Sequence, residues 1–499
     1  MSDQTTADRE AAGGEARLLA GVPDGLLIGG QWRAASDGGT FTVHDPSDGS
    51  VVKEVASATV EDGTAALDAA VEAFPAWSRT PARERAEILR RAFDLLMARA
   101  DDVALLMTIE MGKPVAESRA EVTYGGEFLR WFSEQAPRVQ GRYGPNPEGT
   151  GRMIVSQHPV GPCFLITPWN FPLAMATRKI APALAAGCTV VVKPASLTPL
   201  TTLFVAQLLQ EAGVPDGVVN VITTKATGPV SEAVIRDPRL RKLSFTGSTP
   251  VGQSLLELAA GGVLRTSMEL GGNAPFLVFD DADLDAAVDG AIAAKFRNIG
   301  QACTAANRFL VHRSVADEFA RRVTDRVSSF RTGRGTQDGV TIGPLIDDDA
   351  VAKADELVTD AVERGATVRT GASRLEGPGT FYAATVLSDV PADARLMREE
   401  IFGPVLAIVP FDDEDEAVRL ANDTEYGLVS YVFTRDLARG QRMIERLETG
   451  MLGLNVGVVS NAAAPFGGWK YSGLGREGGA EGITEYLETK YTLTADPFA

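Results

Sequence analysis

The sequence has few cysteines, few histidines and no long apolar run, and each shortage excludes a class of protein. Its 499 residues include three cysteines and three histidines. Cys163, Cys188 and Cys303 are too few and too scattered for a disulfide framework, and the histidines do not stand at metal-ligand spacing, so we expect no metal site. No apolar stretch approaches the roughly 20 residues that span a bilayer, and residues 1–21 lack the order of a signal peptide. We therefore expect a cytoplasmic protein without a membrane partner.

Basic residues are also in the minority. The chain has 48 Lys and Arg against 66 Asp and Glu, a formal net charge of −18. Binding of nucleic acid needs clustered Lys and Arg to neutralise phosphates, so nucleic acid is not an expected partner. The length exceeds the roughly 250–300 residues of a single core, which predicts two or three domains. Residues 1–22 are small, polar and acidic, and we predict a disordered tail there.

Short apolar segments alternate with helical patterns from residue 161 onward. Strands are predicted first at 163–167, 189–193, 218–222 and 242–246, and then at 274–279, 308–312, 366–370, 405–411, 430–434 and 451–456. Strands that are apolar throughout and separated by helices indicate parallel sheets covered on both faces. The fold class is therefore α/β, with two α/β units in series.

Residues 59–112 have a helical pattern with clear punctuation. Thr59 with Asp62 has the form of a capping box, and Thr80 before Pro81 has the form of an N-cap followed by a first-turn proline. Gly112 is expected to end the last helix of this region.

Two glycine-rich stretches are candidates for phosphate binding. "GLGREG" (473–478) has the dinucleotide-binding spacing but follows no buried strand, so we interpret it as a chance match. "FTGSTPVG" (245–252) runs from a strand through Gly247 and Ser248 into a helix, a junction that presents backbone N–H groups to a phosphate. The alternative is an ordinary strand-to-helix turn.

Three residues could carry catalysis. Cys303 lies in "GQACTAANR" among small and polar neighbours, whereas Cys163 and Cys188 lie in apolar segments, so Cys303 is the candidate nucleophile. Glu269 follows a strand between Met268 and Leu270, where a raised pKa would suit a general base, although acids at strand ends are usually just solvated. Asn170 in "TPWNFP" is either a turn residue or an amide donor for an oxyanion.

Seven motifs in order resemble the aldehyde dehydrogenase superfamily. They are "PWNFP", "KPAS", "FTGST", "MELGGNAP", "GQAC", "EEIFGPV" and "PFGGWKYSG", and the match extends from about residue 25 to the end. The resemblance implies a Rossmann-type cofactor domain, an α/β catalytic domain and a small β oligomerisation arm, in a homodimer or homotetramer. The expected cofactor-binding domain comprises 23–141 and 161–270, the catalytic domain 271–460, and the arm 142–160 and 478–499.

The resemblance also implies a role for individual residues. Cys303 matches the nucleophile, Glu269 the base that hydrolyses the thioester, and Asn170 the oxyanion donor. Lys193 matches the residue that contacts the adenosine ribose. Ser196 stands where NAD-selective members often carry a glutamate that would repel a 2′-phosphate, so NADP is the expected preference with NAD possible. The remaining expected cofactor contacts are Thr167, Trp169, Gly228, Gly247, Ser248, Glu400 and Phe402.

Substrate choice depends on Arg178, Arg297 and Ser460. These positions resemble those of succinate-semialdehyde dehydrogenases, and two converging arginines would bind a distal carboxylate of the substrate. Either arginine could instead be a solvated surface residue. Succinic semialdehyde is therefore the expected substrate. Glutaric semialdehyde or uncharged aldehydes are the alternatives, while a non-enzymatic binding protein and a Cys–His hydrolase are weaker ones.

Overall fold

The computed structural model describes residues 13–498. The helices are α1 (13–21), α2 (Val60–Trp77), α3 (Ala82–Ala98), α4 (Ala100–Met111), α5 (Val115–Gln135), α6 (Ala174–Ala186), α7 (Leu200–Glu211), α8 (Thr227–Arg236), α9 (Thr249–Ala260), α10 (Leu284–Phe296), α11 (Arg313–Ser328), α12 (Asp348–Glu363), α13 (Glu414–Asn422), α14 (Leu437–Arg446) and α15 (Glu481–Thr484). Single 3₁₀ turns occupy Ala136–Arg138, Arg297–Gly300 and Arg395–Met397.

The strands fall into three larger sheets and two pairs. They are β1 (Leu26–Ile28), β2 (Gln31–Arg33), β3 (Thr40–His44), β4 (Val51–Ala56), β5 (Arg142–Pro145), β6 (Gly151–Pro159), β7 (Cys163–Ile166), β8 (Val190–Lys193), β9 (Val219–Val221), β10 (Lys242–Thr246), β11 (Arg265–Glu269), β12 (Ala274–Val278), β13 (Ala306–His312), β14 (Thr367–Thr370), β15 (Thr385–Ser388), β16 (Val405–Phe411), β17 (Tyr426–Gly427), β18 (Val429–Phe433), β19 (Met451–Leu454), β20 (Trp469–Lys470), β21 (Gly473–Leu474) and β22 (Leu487–Ala495).

The first sheet has the order β2-β1-β9-β8-β7-β10-β11-β21. Its five central strands, β7 to β11, are parallel, and the strands at both edges pair antiparallel. Alternate residues of β7 enter different cores, Cys163 and Leu165 on one face and Phe164 and Ile166 on the other. This confirms the expected parallel sheet with apolar packing on both faces.

The second sheet has the order β14-β15-β16-β13-β12-β18-β19 and is parallel except for β14. The predicted strand at 366–370 is this antiparallel edge strand, and its side chains are mostly exposed rather than buried. Between β14 and β16 lies β15, a short buried strand that the sequence pattern did not reveal. The α/β fold class is confirmed.

A third sheet, β22-β6-β5, projects exposed side chains along most of β22. Its antiparallel register joins Leu487 to Pro159 at one end and Ala495 to Gly151 at the other, so the C-terminal segment pairs with the segment at 142–160. Each strand of the three sheets lies within the segment predicted for the corresponding domain. The exception is β21, which joins the first sheet although it lies outside all the predicted domain segments. The domain boundaries themselves stay a prediction.

Local signals at the helix ends agree with the structure in two of three cases. Thr59 and Asp62 form the expected capping box of α2, and Gly112 ends α4 with a φ of 91°. Thr80 is not the N-cap of α3, because Pro81 occupies that position and the Thr80 hydroxyl donates to the Ala76 carbonyl instead. The threonine therefore closes the preceding turn rather than opening the next helix.

The predicted disorder over residues 1–22 is wrong for the part that the structure describes. Residues 13–21 are helical, and Leu18 and Leu19 pack against the core of the first sheet. Glu15 forms an ion pair with Arg334 at 3.0 Å, and Lys53 Nζ donates to the Leu19 carbonyl at 2.7 Å. These long-range contacts hold a segment whose composition alone indicates disorder. Residues 1–12 lie outside the described residues.

"GLGREG" is part of a strand turn rather than a phosphate loop. Gly473 begins β21, which pairs antiparallel with β11. A Cβ on Gly473 would lie 1.8 Å from the Met268 carbonyl oxygen, so a glycine is required for the approach of two backbones.

Candidate active site

Three neighbouring strands of the first sheet end at one cavity. The loops after β7, β10 and β11 line it from one side, and the second sheet's segments around 303 and 400–402 line it from the other. Crevices at the carboxyl ends of parallel strands are the usual ligand sites of such sheets. The cavity has a volume of about 210 Å³, and its lining includes seven of the predicted site residues: Trp169, Asn170, Gly247, Ser248, Cys303, Glu400 and Phe402.

Cys303 is the one cysteine that reaches this cavity. It is partly exposed, whereas Cys163 and Cys188 are buried. The preceding backbone is constrained, with Asn298 at a φ of 55° and Ile299 at 61°. Burial raises the pKa of the Cys303 thiol to about 12, and Arg178 and Arg297 act in the opposite direction. Glu400 and Glu269 add to the rise, so the thiol is protonated near neutral pH.

Asn170 is held so that one amide N–H remains available. Its Nδ2 donates one bond to the Gln301 carbonyl at 2.9 Å. The backbone carbonyl of Asn170 accepts from Lys113 Nζ at 2.9 Å and from Asn298 Nδ2 at 3.0 Å. Because an amide nitrogen has two hydrogens, the second can donate to an oxygen at the cavity. The bond to Gln301 holds the Asn170 amide in place, and its role as an oxyanion donor stays a prediction.

Lys113 belongs to a buried ion pair that brackets the Asn170 loop. Its ammonium lies 2.5 Å from Glu121 Oε2, and both side chains are 1% exposed. Glu121 Oε1 accepts from the backbone N–H groups of Leu173 and Ala174 at 3.0 Å each. Neither residue was identified from sequence, because both lie on or near helices more than 45 positions upstream and carry no local motif.

Glu269 lies at the end of β11 and is 2% exposed. Its Oε2 has no hydrogen-bond partner among the described residues. Burial raises its pKa well above the usual glutamate range, and the nearby Glu477 carboxylate adds to this, while Arg178 and Lys179 oppose it. The raised pKa that the apolar neighbours predicted is confirmed, and Glu269 is a buried acid rather than a solvated one.

Glu477 is a site residue that the sequence did not reveal. Its Oε1 lies 2.5 Å from Lys179 Nζ and its Oε2 lies 2.5 Å from Arg178 Nε. Burial acts to raise its pKa, but Lys179 and Arg178 outweigh burial and lower it. One ionised carboxylate therefore serves two buried cations.

Four of the predicted cofactor residues lie outside the lining of the 210 Å³ cavity. Thr167 and Lys193 end adjacent strands, and Thr167 N donates to the Lys193 carbonyl at 3.1 Å. Lys193 is 3% exposed, and burial lowers its pKa to about 8. Ser196 lines a separate cavity of about 350 Å³ together with Lys225. Gly228 is exposed in the first turn of α8 and lines neither cavity.

In the cavity of about 210 Å³, Glu400 and Phe402 line the wall together with Trp169. The Trp169 and Phe402 rings meet edge to face with centroids 5.5 Å apart. Glu400 accepts from the backbone N–H of Gly272 at 3.2 Å, and burial raises its pKa to about 7. Buried hydroxyls of Thr167 and Thr246 have no partner among residues 13–498, so the cleft offers unused polar atoms to a polar ligand.

Arg178 and Arg297 lie close enough to Cys303 to affect its thiol, and Ser460 is, like both arginines, a neighbour of Tyr124. Arg178 is fully buried, its Nη2 donates to the sulfur of Met175 at 3.1 Å, and Met175 lines the cavity. The Arg297 guanidinium lies over the Phe171 ring at 5.4 Å. Arg178 is thus not a surface arginine, and both cations act on the Cys303 thiol.

The Aldehyde dehydrogenase family matches residues 32–492. Succinate-semialdehyde dehydrogenase of Paenarthrobacter nicotinovorans is 59% identical over 89% of this chain and 99% of its own length. Succinate-semialdehyde dehydrogenase [NADP(+)] GabD of Escherichia coli K12 is 50% identical over 93% and 96%, and a glutarate-semialdehyde dehydrogenase of Pseudomonas aeruginosa is 49% identical over the same shares. The crystal structure of succinate-semialdehyde dehydrogenase from Burkholderia pseudomallei superposes with a TM-score of 0.94 at 48% identity, covering 95% of this chain and 98% of that one.

Proposed function

The chain belongs to the aldehyde dehydrogenase family, and on that premise we propose that it oxidises succinic semialdehyde to succinate, with NADP preferred and NAD accepted. The observation that carries the substrate choice is the excess of positive charge behind Cys303. Arg178 and Lys179 share one ionised carboxylate, Glu477, and Arg297 forms no ion pair among residues 13–498, so the site can take a further carboxylate. The distal carboxylate of a semialdehyde acid supplies it.

The residues around the cavity suit acyl chemistry at sulfur. The Cys303 thiol gives up its proton to Glu269 or to water as its sulfur adds to the aldehyde carbonyl carbon, and the carbonyl oxygen takes the negative charge. The free N–H of Asn170 stabilises that oxygen. Once the hydride has left the carbon, a thioester remains on Cys303, and Glu269 removes a proton from the water that hydrolyses it. Loss of the acid restores the thiol.

The cleft fits a nicotinamide dinucleotide. The bound cofactor supplies the acceptor for the hydride. Glu400 and Phe402 would hold its nicotinamide ribose, and the junction at Gly247 and Ser248 would take the phosphates. Lys193 is buried and has no carboxylate partner in the described part of the chain, so it can pair with an anion. Ser196 leaves room for a 2′-phosphate, which supports NADP as the preferred cofactor.

The proposal is tested by comparing succinic semialdehyde with butanal, an aldehyde of the same length without the carboxylate. We expect NADP reduction with succinic semialdehyde. Arg297→Met should lower kcat/KM for this substrate by a factor that corresponds to about 1.5 to 3 kcal/mol of lost transition-state stabilisation, and kcat/KM for butanal should stay unchanged. Arg297 is the cleaner target because Arg178 also holds Glu477. Arg119→Met, at an exposed ion pair with Asp101, is the matched control.

The same assay separates the alternatives. If glutaric semialdehyde is the better substrate, the enzyme acts on the longer semialdehyde acid. Equal losses of kcat/KM for succinic semialdehyde and butanal in Arg297→Met would indicate that it acts on uncharged aldehydes. No reduction of either cofactor with any of the three aldehydes would refute dehydrogenase activity, and Cys303→Ala tests the nucleophile.

We further propose that the third sheet is an interface between copies in a homodimer or homotetramer. The exposed apolar side chains of Tyr143 on β5 and of Tyr491 and Leu493 on β22 support this. No helix of the described residues is long and apolar enough to cross a membrane. The three free cysteines support a reducing compartment such as the cytoplasm.

A further inference from the structure

Tyr124 presents a buried hydroxyl without a partner next to the arginine pair. It lies on α5, and its ring packs edge to face against Phe128 with centroids 5.0 Å apart. Within residues 13–498 its hydroxyl makes no hydrogen bond of good geometry. A buried hydroxyl without a partner costs free energy, so a native structure retains one mainly where something else completes the bond.

The groups around this hydroxyl indicate which kind of ligand could accept its hydrogen bond. Burial raises the pKa of Tyr124, and Arg178, Arg297 and Ser460 are the neighbours that oppose the rise. The phenol is therefore a neutral O–H donor flanked by two cations and a second hydroxyl. Nη1 of Arg178 is also buried without a partner. Tyr124 Oη could accept from Arg178, but neither Tyr124 Oη nor Nη1 of Arg178 makes a hydrogen bond of good geometry within residues 13–498, so an added acceptor could take a hydrogen from each.

We propose that Tyr124 is a specificity-determining residue whose hydroxyl donates to the distal carboxylate of the substrate, beside Arg178 and Arg297. This rests on the proposed function, since it concerns the same subsite. A carboxylate accepts several hydrogen bonds, and its negative charge pairs with the positively charged arginines. A short, stiff phenol fixes the distance from that carboxylate to Cys303 more strictly than a flexible cation does, so it favours one chain length.

Tyr124→Phe is the direct test, because it keeps the ring that packs against Phe128 and removes only the hydroxyl. We expect kcat/KM for succinic semialdehyde to fall about 10- to 100-fold, chiefly through KM, while kcat/KM for butanal stays unchanged. Succinate, used as a product ligand in calorimetry with the intact enzyme, should bind more weakly by a similar factor. Arg119→Met, at an exposed ion pair with Asp101, should alter neither value.

An unchanged ratio of succinic semialdehyde to butanal in Tyr124→Phe, with Arg297→Met active only on the acid, would overturn the role of Tyr124 and leave the proposed function standing. Equal losses for both aldehydes would overturn it as well, since the hydroxyl would then act on structure. If the unaltered enzyme itself does not prefer the acid and Arg297→Met has no effect, the proposed function fails and this inference fails with it.

Discussion

Replacing Lys113 with methionine should destabilise the protein and slow catalysis together. The substitution keeps the length of the aliphatic chain and removes the ammonium that contacts Glu121 and the Asn170 carbonyl. Both side chains of the ion pair are 1% exposed, so Glu121 would be left as a buried carboxylate without its cation. Removing one partner of such a pair costs about 3 to 5 kcal/mol.

Two features of the structure refine this magnitude. Glu121 keeps its bonds from Leu173 and Ala174, which favours the lower half of the range. Protonation of the orphaned carboxylate limits the cost further, because neutralising an unperturbed glutamate at pH 7 costs about 3.7 kcal/mol. We therefore expect about 3 to 4 kcal/mol at pH 7. Because a proton is easier to take up in acid, the cost of Lys113→Met should shrink as the pH falls toward 5.5.

The assay is thermal unfolding at pH 7 and pH 5.5, with steady-state kinetics on the same samples. A loss of this size corresponds to a melting temperature about 3 to 4 °C lower at pH 7, because the unfolding entropy of a 499-residue chain is about 1 kcal/mol per kelvin. Arg119→Met, on α5 close to Lys113 in sequence, is the matched control, because its ion pair with Asp101 is 60% and 83% exposed and should cost about 1 kcal/mol or less at either pH. The reasoning is refuted if Lys113→Met costs no more than the control, or if its cost is independent of pH.

Three further predictions concern the catalytic and cofactor groups. Asn170→Ala removes the oxyanion donor and should lower kcat about 10²- to 10³-fold with little change in cofactor affinity; a loss below tenfold would exclude that role. Glu269→Gln should retain a fast stoichiometric burst of reduced cofactor and lose about 10²- to 10⁴-fold in steady-state turnover, because hydride transfer precedes hydrolysis. Since the pKa of Glu269 is raised, turnover of the unaltered enzyme should rise with pH beyond the usual glutamate range, and the variant should lack that rise. Lys193, with a pKa of about 8, is charged below that pH and neutral above it, so kcat/KM for NADP relative to NAD should fall as the pH rises from 7 to 9; a ratio that is flat with pH would contradict pairing of Lys193 with the 2′-phosphate.

The residues that could be identified from sequence are those with a local signature. Buried strands such as β7 and β10 are short apolar runs, and the capping box of α2 is complete within four residues. Cys303 differed from the other two thiols in its immediate neighbours, and the structure places it at the cavity. The two errors at the chain's start and at Thr80 arose where contacts from elsewhere outweigh local preference. A helix that composition disfavours is held by Arg334, and a cap position is taken by Pro81.

Local pattern by itself determined most of the central strands, the α/β class and which cysteine differs from the others in its surroundings, because backbone preference and side-chain periodicity act over a few residues. Only the tertiary structure decided which charges meet. Glu477 reaches Arg178 and Lys179 from about 300 positions away, and Lys113, in the loop before α5, donates to the Asn170 carbonyl. These contacts depend on how the two sheets pack at the cleft, and the pKa of each buried group depends on that packing because burial and neighbouring charge, not sequence position, decide which protonation state is stable.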